Sequence, residues 1–180
     1  MNGRYEVKLA GVGGQGIVLA GIVLAEAAIR DGKNVAQTQS YGSATRGGAS
    51  ASDVIIADDD IAYPKVLHAD ILLAMSQSAY VKHVHDLAED GILIVDSSVE
   101  LTDEIEHGYS LPISELSRST TGNETSASIV ALGIIAGLTG VVTPEAIVEA
   151  VEARAPKGTE ARNRAAVLAG LQEAEKIRGN

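Results

Sequence analysis

Cysteine is absent from all 180 residues. That one absence excludes disulfides, zinc–thiolate sites, iron–sulfur ligation and thiol nucleophiles, so any redox centre has to sit on another chain. Phenylalanine and tryptophan are absent too, and aromatic residues make up only 3% against 46% hydrophobic. The core therefore has to be built from Ala, Val, Ile and Leu. Basic residues are outnumbered, 14 Lys and Arg against 24 Asp and Glu, for a formal net charge of -10. No basic cluster is present to neutralise phosphates, which argues against nucleic acid as a partner. Apolar stretches are broken by Gly and polar residues too often for a membrane span, and the first residues lack the basic start and apolar run of a signal peptide, so a cytoplasmic protein is expected.

The most informative segment present is Leu9-Ala10-Gly11-Val12-Gly13-Gly14-Gln15-Gly16, which runs straight into a long apolar helical pattern. It holds G-x-G-x-x-G at Gly11, Gly13 and Gly16, where a strand over 5–10 should turn into a helix over 15–30. Glycine there allows a tight turn and a close approach to the backbone, and the helix N-terminal amides point at whatever lies above them. A Rossmann-like unit is expected. A dinucleotide site, however, wants an acid at the end of the second strand to hold the ribose. Residues 34–40, Asn-Val-Ala-Gln-Thr-Gln-Ser, supply none. The loop is then a phosphate cradle, a docking surface for another subunit, or a tight junction that binds nothing.

Further strands are expected over 35–38, 49–56, 69–75 and 92–95, with 109–112 as an outer strand and helices over 78–88 and 113–118. Asp90-Gly91 reads as a turn. Strands alternating with helices point to an α/β fold, a mostly parallel Rossmann-like sheet with right-handed crossovers and helices on both faces. Beyond residue 122 only helices are expected: 123–138, apolar nearly all round and so buried; 144–154, capped by Thr143 with Pro144 at the first position; and a last helix to about 177 capped by Thr159. The chain divides into a sheet portion, 1–122, and a helical C-terminal portion, 123–180, of one domain.

A second unusual segment lies between the second and third strands: Gln39-Ser40-Tyr41-Gly42-Ser43-Ala44-Thr45-Arg46-Gly47-Gly48. An aromatic ring and a lone Arg among glycines, at the edge where open α/β sheets place ligands, suit a carboxylate or phosphate. A solvated loop is the plainer reading. Asp58-Asp59-Asp60 reads as a solvated turn, since consecutive strand residues point alternate ways and cannot share one ion. His83 and His85 do not share a helix face. There is no G-x-S-x-G elbow and no P-loop lysine, so a self-sufficient catalytic set is missing.

Taken together, Gly11-Val-Gly-Gly-Gln-Gly16 with Ala20-Gly21 and Leu24-Ala25, Ser40-Tyr-Gly-Ser-Ala-Thr-Arg-Gly-Gly48 with Ser50 and Ser52, and Asn123 with Leu132-Gly133 resemble the gamma subunit of the 2-oxoacid:ferredoxin oxidoreductases. The resemblance implies one subunit of an enzyme that decarboxylates pyruvate, 2-oxoglutarate or a related 2-oxoacid, joins the acyl group to coenzyme A and reduces ferredoxin. It places thiamine diphosphate and magnesium on alpha and beta partner subunits and the iron–sulfur clusters on beta or delta. It also implies that Gly13, Gly14, Gln15, Gly16, Tyr41, Arg46, Gly47 and Gly48 help hold coenzyme A. Two rivals stand beside it, a stand-alone dinucleotide-binding oxidoreductase and a purely structural bridge between subunits.

Overall fold

The computed structural model describes residues 3–41, 48–102 and 105–179. A six-stranded sheet in the order β2-β3-β1-β4-β5-β6 is built from β1 (Arg4–Val12), β2 (Asn34–Tyr41), β3 (Ala49–Ala57), β4 (Ala69–Ala74), β5 (Leu87–Asp96) and β6 (Gly108–Leu111). The helices are α1 (Ile17–Arg30), α2 (Gln77–His83), α3 (Ile113–Thr121), α4 (Ala127–Thr139), α5 (Pro144–Arg154) and α6 (Glu160–Arg178). β1 pairs in parallel with β4, β4 with β5, and β5 with β6. β3 alone runs the other way, antiparallel to both of its neighbours. The sheet is thus mostly parallel, as expected, but β2 and β3 form a hairpin rather than a crossover unit.

The two sides of the sheet are covered unequally. Val7 and Leu9 of β1 and Ile71 and Leu73 of β4 enter a core shared with α1, α4, α5 and α6. Ala10, Leu72, Leu93 and Val95 enter a smaller one with Ala79 and Tyr80 of α2. From Ile71 to Ala74 β4 is buried on both faces and reads as an apolar run, while half-buried Asp70 near its start accepts the Glu6 N–H at 2.7 Å. On the thinly covered face, the Lys8 Nζ lies 2.9 Å from Asp53 and 3.6 Å from Asp86, and the Asp86 carboxylate lies 3.0 Å from His83 Nδ1. Burial pushes the Asp86 carboxyl up, but the His83 hydrogen bond and the Lys8 charge outweigh it and hold it below its usual value. Unpaired, Lys8 would be costly at this depth.

Three local expectations are corrected. The helix expected over 78–88 ends at His83 and tightens into a 3₁₀ turn over Val84–Asp86. Asp90-Gly91 lies inside β5, at a pairing irregularity, where a Cβ on Gly91 would stand 2.8 Å from the Ala69 carbonyl oxygen. Thr143 caps α5 as expected, accepting from the Ala146 N–H at 3.2 Å, whereas the Thr159 hydroxyl donates to the Pro156 carbonyl at 2.7 Å instead of capping α6. Among the described residues, no helix is long and apolar enough to cross a membrane.

The helix α4 is buried from Ala127 through Ala136, because α1, α3, α5 and α6 surround it. An all-round apolar surface follows from that position. Its closest neighbour is α6, where Gly133 faces Gly170 so tightly that a Cβ on Gly170 would overlap the Val130 carbonyl and one on Gly133 the Val167 carbonyl. Both obstacles are backbone, so neither can swing aside. Gly170→Ala should therefore lower stability by about 1–3 kcal/mol through overpacking, outweighing the roughly 1 kcal/mol that Ala gains over Gly inside a helix. A lower thermal midpoint by circular dichroism is expected; an unchanged or raised midpoint would show that the two backbones separate freely.

Candidate functional site

The glycine loop leaves β1 at Val12 and reaches α1 at Ile17, and its own hydrogen bonds fix it. The Gln15 N–H donates to the Val12 carbonyl at 3.2 Å. Its side chain spans the ends of two strands: Oε1 accepts from the Val12 N–H at 2.8 Å and Nε2 donates to the Met75 carbonyl at 3.0 Å. Gly11 makes room for this amide, since a Cβ there would stand 2.5 Å from Oε1. Gly16 is the N-cap of α1 in the left-handed region, φ 72°, and a Cβ would reach to 2.9 Å from the Ser128 Oγ of α4. Gly14 is also left-handed, φ 95°, but faces open space. The three glycines of the motif thus have different duties: Gly11 seats Gln15, Gly16 turns the chain into the helix, and Gly13 meets a neighbouring segment.

That neighbour is Gly48, whose carbonyl accepts from the Gly13 N–H at 2.9 Å. Gly48 directly precedes β3, whose Ser50 pairs with Gly11 on one side and with Tyr41 on the other. Tyr41 ends β2 with 67% of its surface exposed. Gly13, Gly14, Gln15, Gly16, Tyr41 and Gly48 therefore gather at the carboxyl ends of the parallel strands. Arg46 and Gly47 lie outside the described residues.

No acid stands in the first turn of α1, and the first intrahelical bond runs from the Ala20 N–H to the Gly16 carbonyl at 2.9 Å, so the preceding amides point out of the loop with the positive end of the helix dipole behind them. Beside the loop is a hollow of about 160 Å³ lined by Gly14, Gln15, Ser114, Glu124, Thr125 and Ala127. Sequence reasoning missed its far wall. Buried Asp96 ends β5 and accepts from the Ser98 N–H at 3.0 Å and the Ser114 N–H at 2.7 Å. Burial pushes its carboxyl up, but those hydrogen bonds win and hold it below the usual carboxylate range. An acid closing an apolar strand before Ser97-Ser98 was the available signal. It satisfies the start of α3 with the chain's own charge, so that helix end is already occupied.

What this arrangement can do is bind rather than react. Among the described residues, the site offers backbone amides, the Tyr41 ring and the Gln15 amide, with the Ser114 and Thr125 hydroxyls and the Glu124 carboxylate on the hollow beside them. Among the described residues, no three His, Asp or Glu come together to hold a metal. The dinucleotide reading fails on topology as well as on the missing acid, because β3 stands between β1 and β2 where a nucleotide-binding sheet keeps those strands adjacent.

Residues 6–173 match the family of pyruvate ferredoxin/flavodoxin oxidoreductases. The chain belongs to that family. Within it, the chain is 40% identical over 179 residues to the 2-oxoglutarate synthase subunit KorC of Methanocaldococcus jannaschii, covering 97% of this chain and 96% of the relative. Its fold matches the crystal structure of the keto/oxoacid ferredoxin oxidoreductase gamma subunit of Geobacter sulfurreducens, with a TM-score of 0.85 at 42% identity, over 96% of this chain and 99% of that one. A more distant match at 20% identity and a TM-score of 0.86 covers 98% of this chain but 32% of the other, the 2-oxoglutarate:ferredoxin oxidoreductase of Magnetococcus marinus, solved with 2-oxoglutarate, coenzyme A and succinyl-CoA bound. The oxidoreductase gamma subunit is thus both the sequence and the structural class of this chain.

The Asp96 contacts give a pH-dependent expectation. A carboxyl held low in the folded chain adds stability that is fully present above its unfolded value, near pH 4, and is lost as pH falls through the lower folded value. Asp96→Asn should cost about 1–3 kcal/mol at neutral pH, the scale of hydrogen bonds to a charged acceptor, and the gap to the unaltered chain should narrow below about pH 4. Urea unfolding at pH 7 and pH 3.5 measures both; a gap independent of pH would mean that the charge contributes nothing.

Proposed function

We propose that this gamma subunit supplies the coenzyme A-holding rim of a 2-oxoacid:ferredoxin oxidoreductase, with 2-oxoglutarate as its substrate. The observation that carries the reading is the Gly13–Gly48 junction. Two glycine segments more than thirty residues apart are hydrogen-bonded into one rim at the start of α1, whose first turn holds no acid. Coenzyme A carries phosphates at one end and amides along its arm. The outward amides of Gly14, Gly16 and the first turn of α1 suit the phosphates, Tyr41 offers a ring to the adenine, and Arg46 and Gly47 follow in the sequence between β2 and β3. The curated relative's assignment to 2-oxoglutarate synthase and the bound coenzyme A in the Magnetococcus enzyme support substrate and ligand.

The remaining chemistry belongs to companion subunits. With no cysteine, the chain has no thiolate ligands for iron–sulfur clusters. Those groups, and the electron exit to ferredoxin, are assigned to alpha, beta and, where one exists, delta partners. The Gly13 N–H and both ends of the Gln15 amide are already engaged by the chain itself, so these positions shape the rim while Gly14, Gly16 and Tyr41 meet the ligand.

Arg46→Ala separates binding from bridging. In the reconstituted complex it should raise the apparent KM for coenzyme A by about 10- to 100-fold, the loss of one charge-assisted contact to phosphate, with assembly and the KM for the 2-oxoacid unchanged. Loss of assembly with an unchanged KM for coenzyme A would leave the rim as a bridge alone.

A further inference from the structure

Two serine hydroxyls near the start of α1 are left idle by the fold. Ser50 of β3 and Ser128 of α4 are only 8% and 3% exposed, yet neither side chain makes a hydrogen bond to another described residue. Among the described residues no fully enclosed polar side-chain atom lacks a partner, so both oxygens keep a path to the surface. A hydroxyl held this deep without a bond is costly. A ligand entering along that path supplies the bond.

Strand register places the first of them. Ser50 pairs with Gly11 of β1 and with Tyr41 of β2, and directly opposed residues point to the same face of a sheet. That face lies under α1, because Ser52, two residues further on, fills the space where a Cβ on Gly21 would stand. One turn back from Gly21 is Ile17, whose Cγ1 lies 2.8 Å from where a Cβ on Gly11 would stand. The Ser50 hydroxyl therefore sits beside the first turn of α1, with the exposed Tyr41 ring on its other side. Ser128 approaches from the opposite flank. Its Oγ lies 2.9 Å from where a Cβ would stand on Gly16, the N-cap of α1. Ser128 is the second residue of α4, so two helices begin side by side here, and neither has a side-chain cap or an acid in its first turn.

We infer that Ser50 and Ser128 donate hydrogen bonds to the diphosphate of coenzyme A, seated at the start of α1 with the first-turn amides between them. The inference rests on the coenzyme A reading and adds a direction to it. Hydroxyl donors on two sides of a helix N-terminus complete the shell that a phosphate oxygen needs. Past Ser128 the rim continues into the hollow, where the Glu124 carboxylate opposes a further phosphate, while the Ser114 and Thr125 hydroxyls suit the neutral amides of the pantetheine arm. On the Ser50 side stands the Tyr41 ring. The order along the rim is adenine at Tyr41, diphosphate at Ser50 and Ser128, and the arm in the hollow.

Ser50→Ala and Ser128→Ala in the reconstituted complex test this. Each removes one oxygen and adds no bulk, and alanine is the better helix former in α4, so assembly and thermal midpoint should hold. Each variant should raise the apparent KM for coenzyme A by about 10-fold, the loss of one hydrogen bond to a charged group, with the KM for the 2-oxoacid unchanged. Dephospho-coenzyme A, which lacks the ribose phosphate but keeps the diphosphate, should show the same factor. A packing role alone would move neither KM. An unchanged KM for coenzyme A in either variant would overturn the inference, and so would a factor that disappears with dephospho-coenzyme A, since the hydroxyls would then hold the other phosphate. Arg46→Ala keeps the two readings apart: if it raises the KM for coenzyme A and the serine variants do not, only the serine seat falls, and if none of the three does, the coenzyme A reading falls with it.

Discussion

Close approach of backbones, in a main core whose buried side chains among the described residues include no aromatic ring, sets the geometry on which the rest depends. An interior of Ala, Val, Ile and Leu reaches native density only if its elements lie near one another, and here glycine and serine sit at the crossings. Gly133 meets Gly170 between α4 and α6, and Gly21 meets Ser52 between α1 and β3. The start of α1 is fixed by the same logic. Gly16 lies against Ser128 at the beginning of α4, so the helix that matters to the rim is registered against the helix at the centre of the core. Asp31 adds a polar tie at its other end, accepting the Thr143 N–H and hydroxyl, each at 2.7 Å. A ligand at the rim therefore meets a platform backed by the main core.

Within that platform, Gln15 converts a glycine-rich loop from a floppy connection into a defined one. Four glycines between Gly11 and Gly16 carry a large conformational entropy, and ordering them needs compensating bonds. The two amide bonds of Gln15 lie across the ends of β1 and β4, the strands that flank the crevice, and Met75 completes the set by donating its N–H to the Ala10 carbonyl at 2.9 Å. A residue that looks like a ligand contact in sequence is in the fold a cross-tie that preorganises its neighbours, and preorganisation reduces the cost of binding.

What was legible in the sequence follows from how local each signal is. The apolar run Ile71–Ala74 of β4 and the capped start of α5 are written in contiguous residues, and both stand where expected. The gathering of the Tyr41 and Gly48 segment beside the glycine loop was legible from the pairing of two motifs, although neither alone defined a site. Strand direction was not legible, because a loop of Gly, Ser and Thr suits a hairpin as well as a crossover, and only the partner strands decide. Gly91 misled for a related reason. Its residue type signals a turn, whereas the constraint is the Ala69 carbonyl of the adjacent strand, 2.8 Å from where a Cβ would stand. Asp96 escaped notice because its partners, Ser98 and Ser114, come together only once β5 and α3 are in place.

The placement of charge completes the division between support and function. The buried charges of the sheet are paired internally: Lys8 with Asp53 and Asp86 under α2, Asp96 with two backbone amides. Each satisfies its own surroundings. At the rim, the described groups are mainly backbone amides, whose positions are set by the fold rather than by side-chain identity. On the proposed reading, such a subunit contributes orientation and a fixed electrostatic environment to chemistry carried out elsewhere. Because the rim is built mainly of backbone, its geometry is sensitive to substitutions far from it: moving Gly16 or Gly21 by a core mutation displaces the amides at the start of α1.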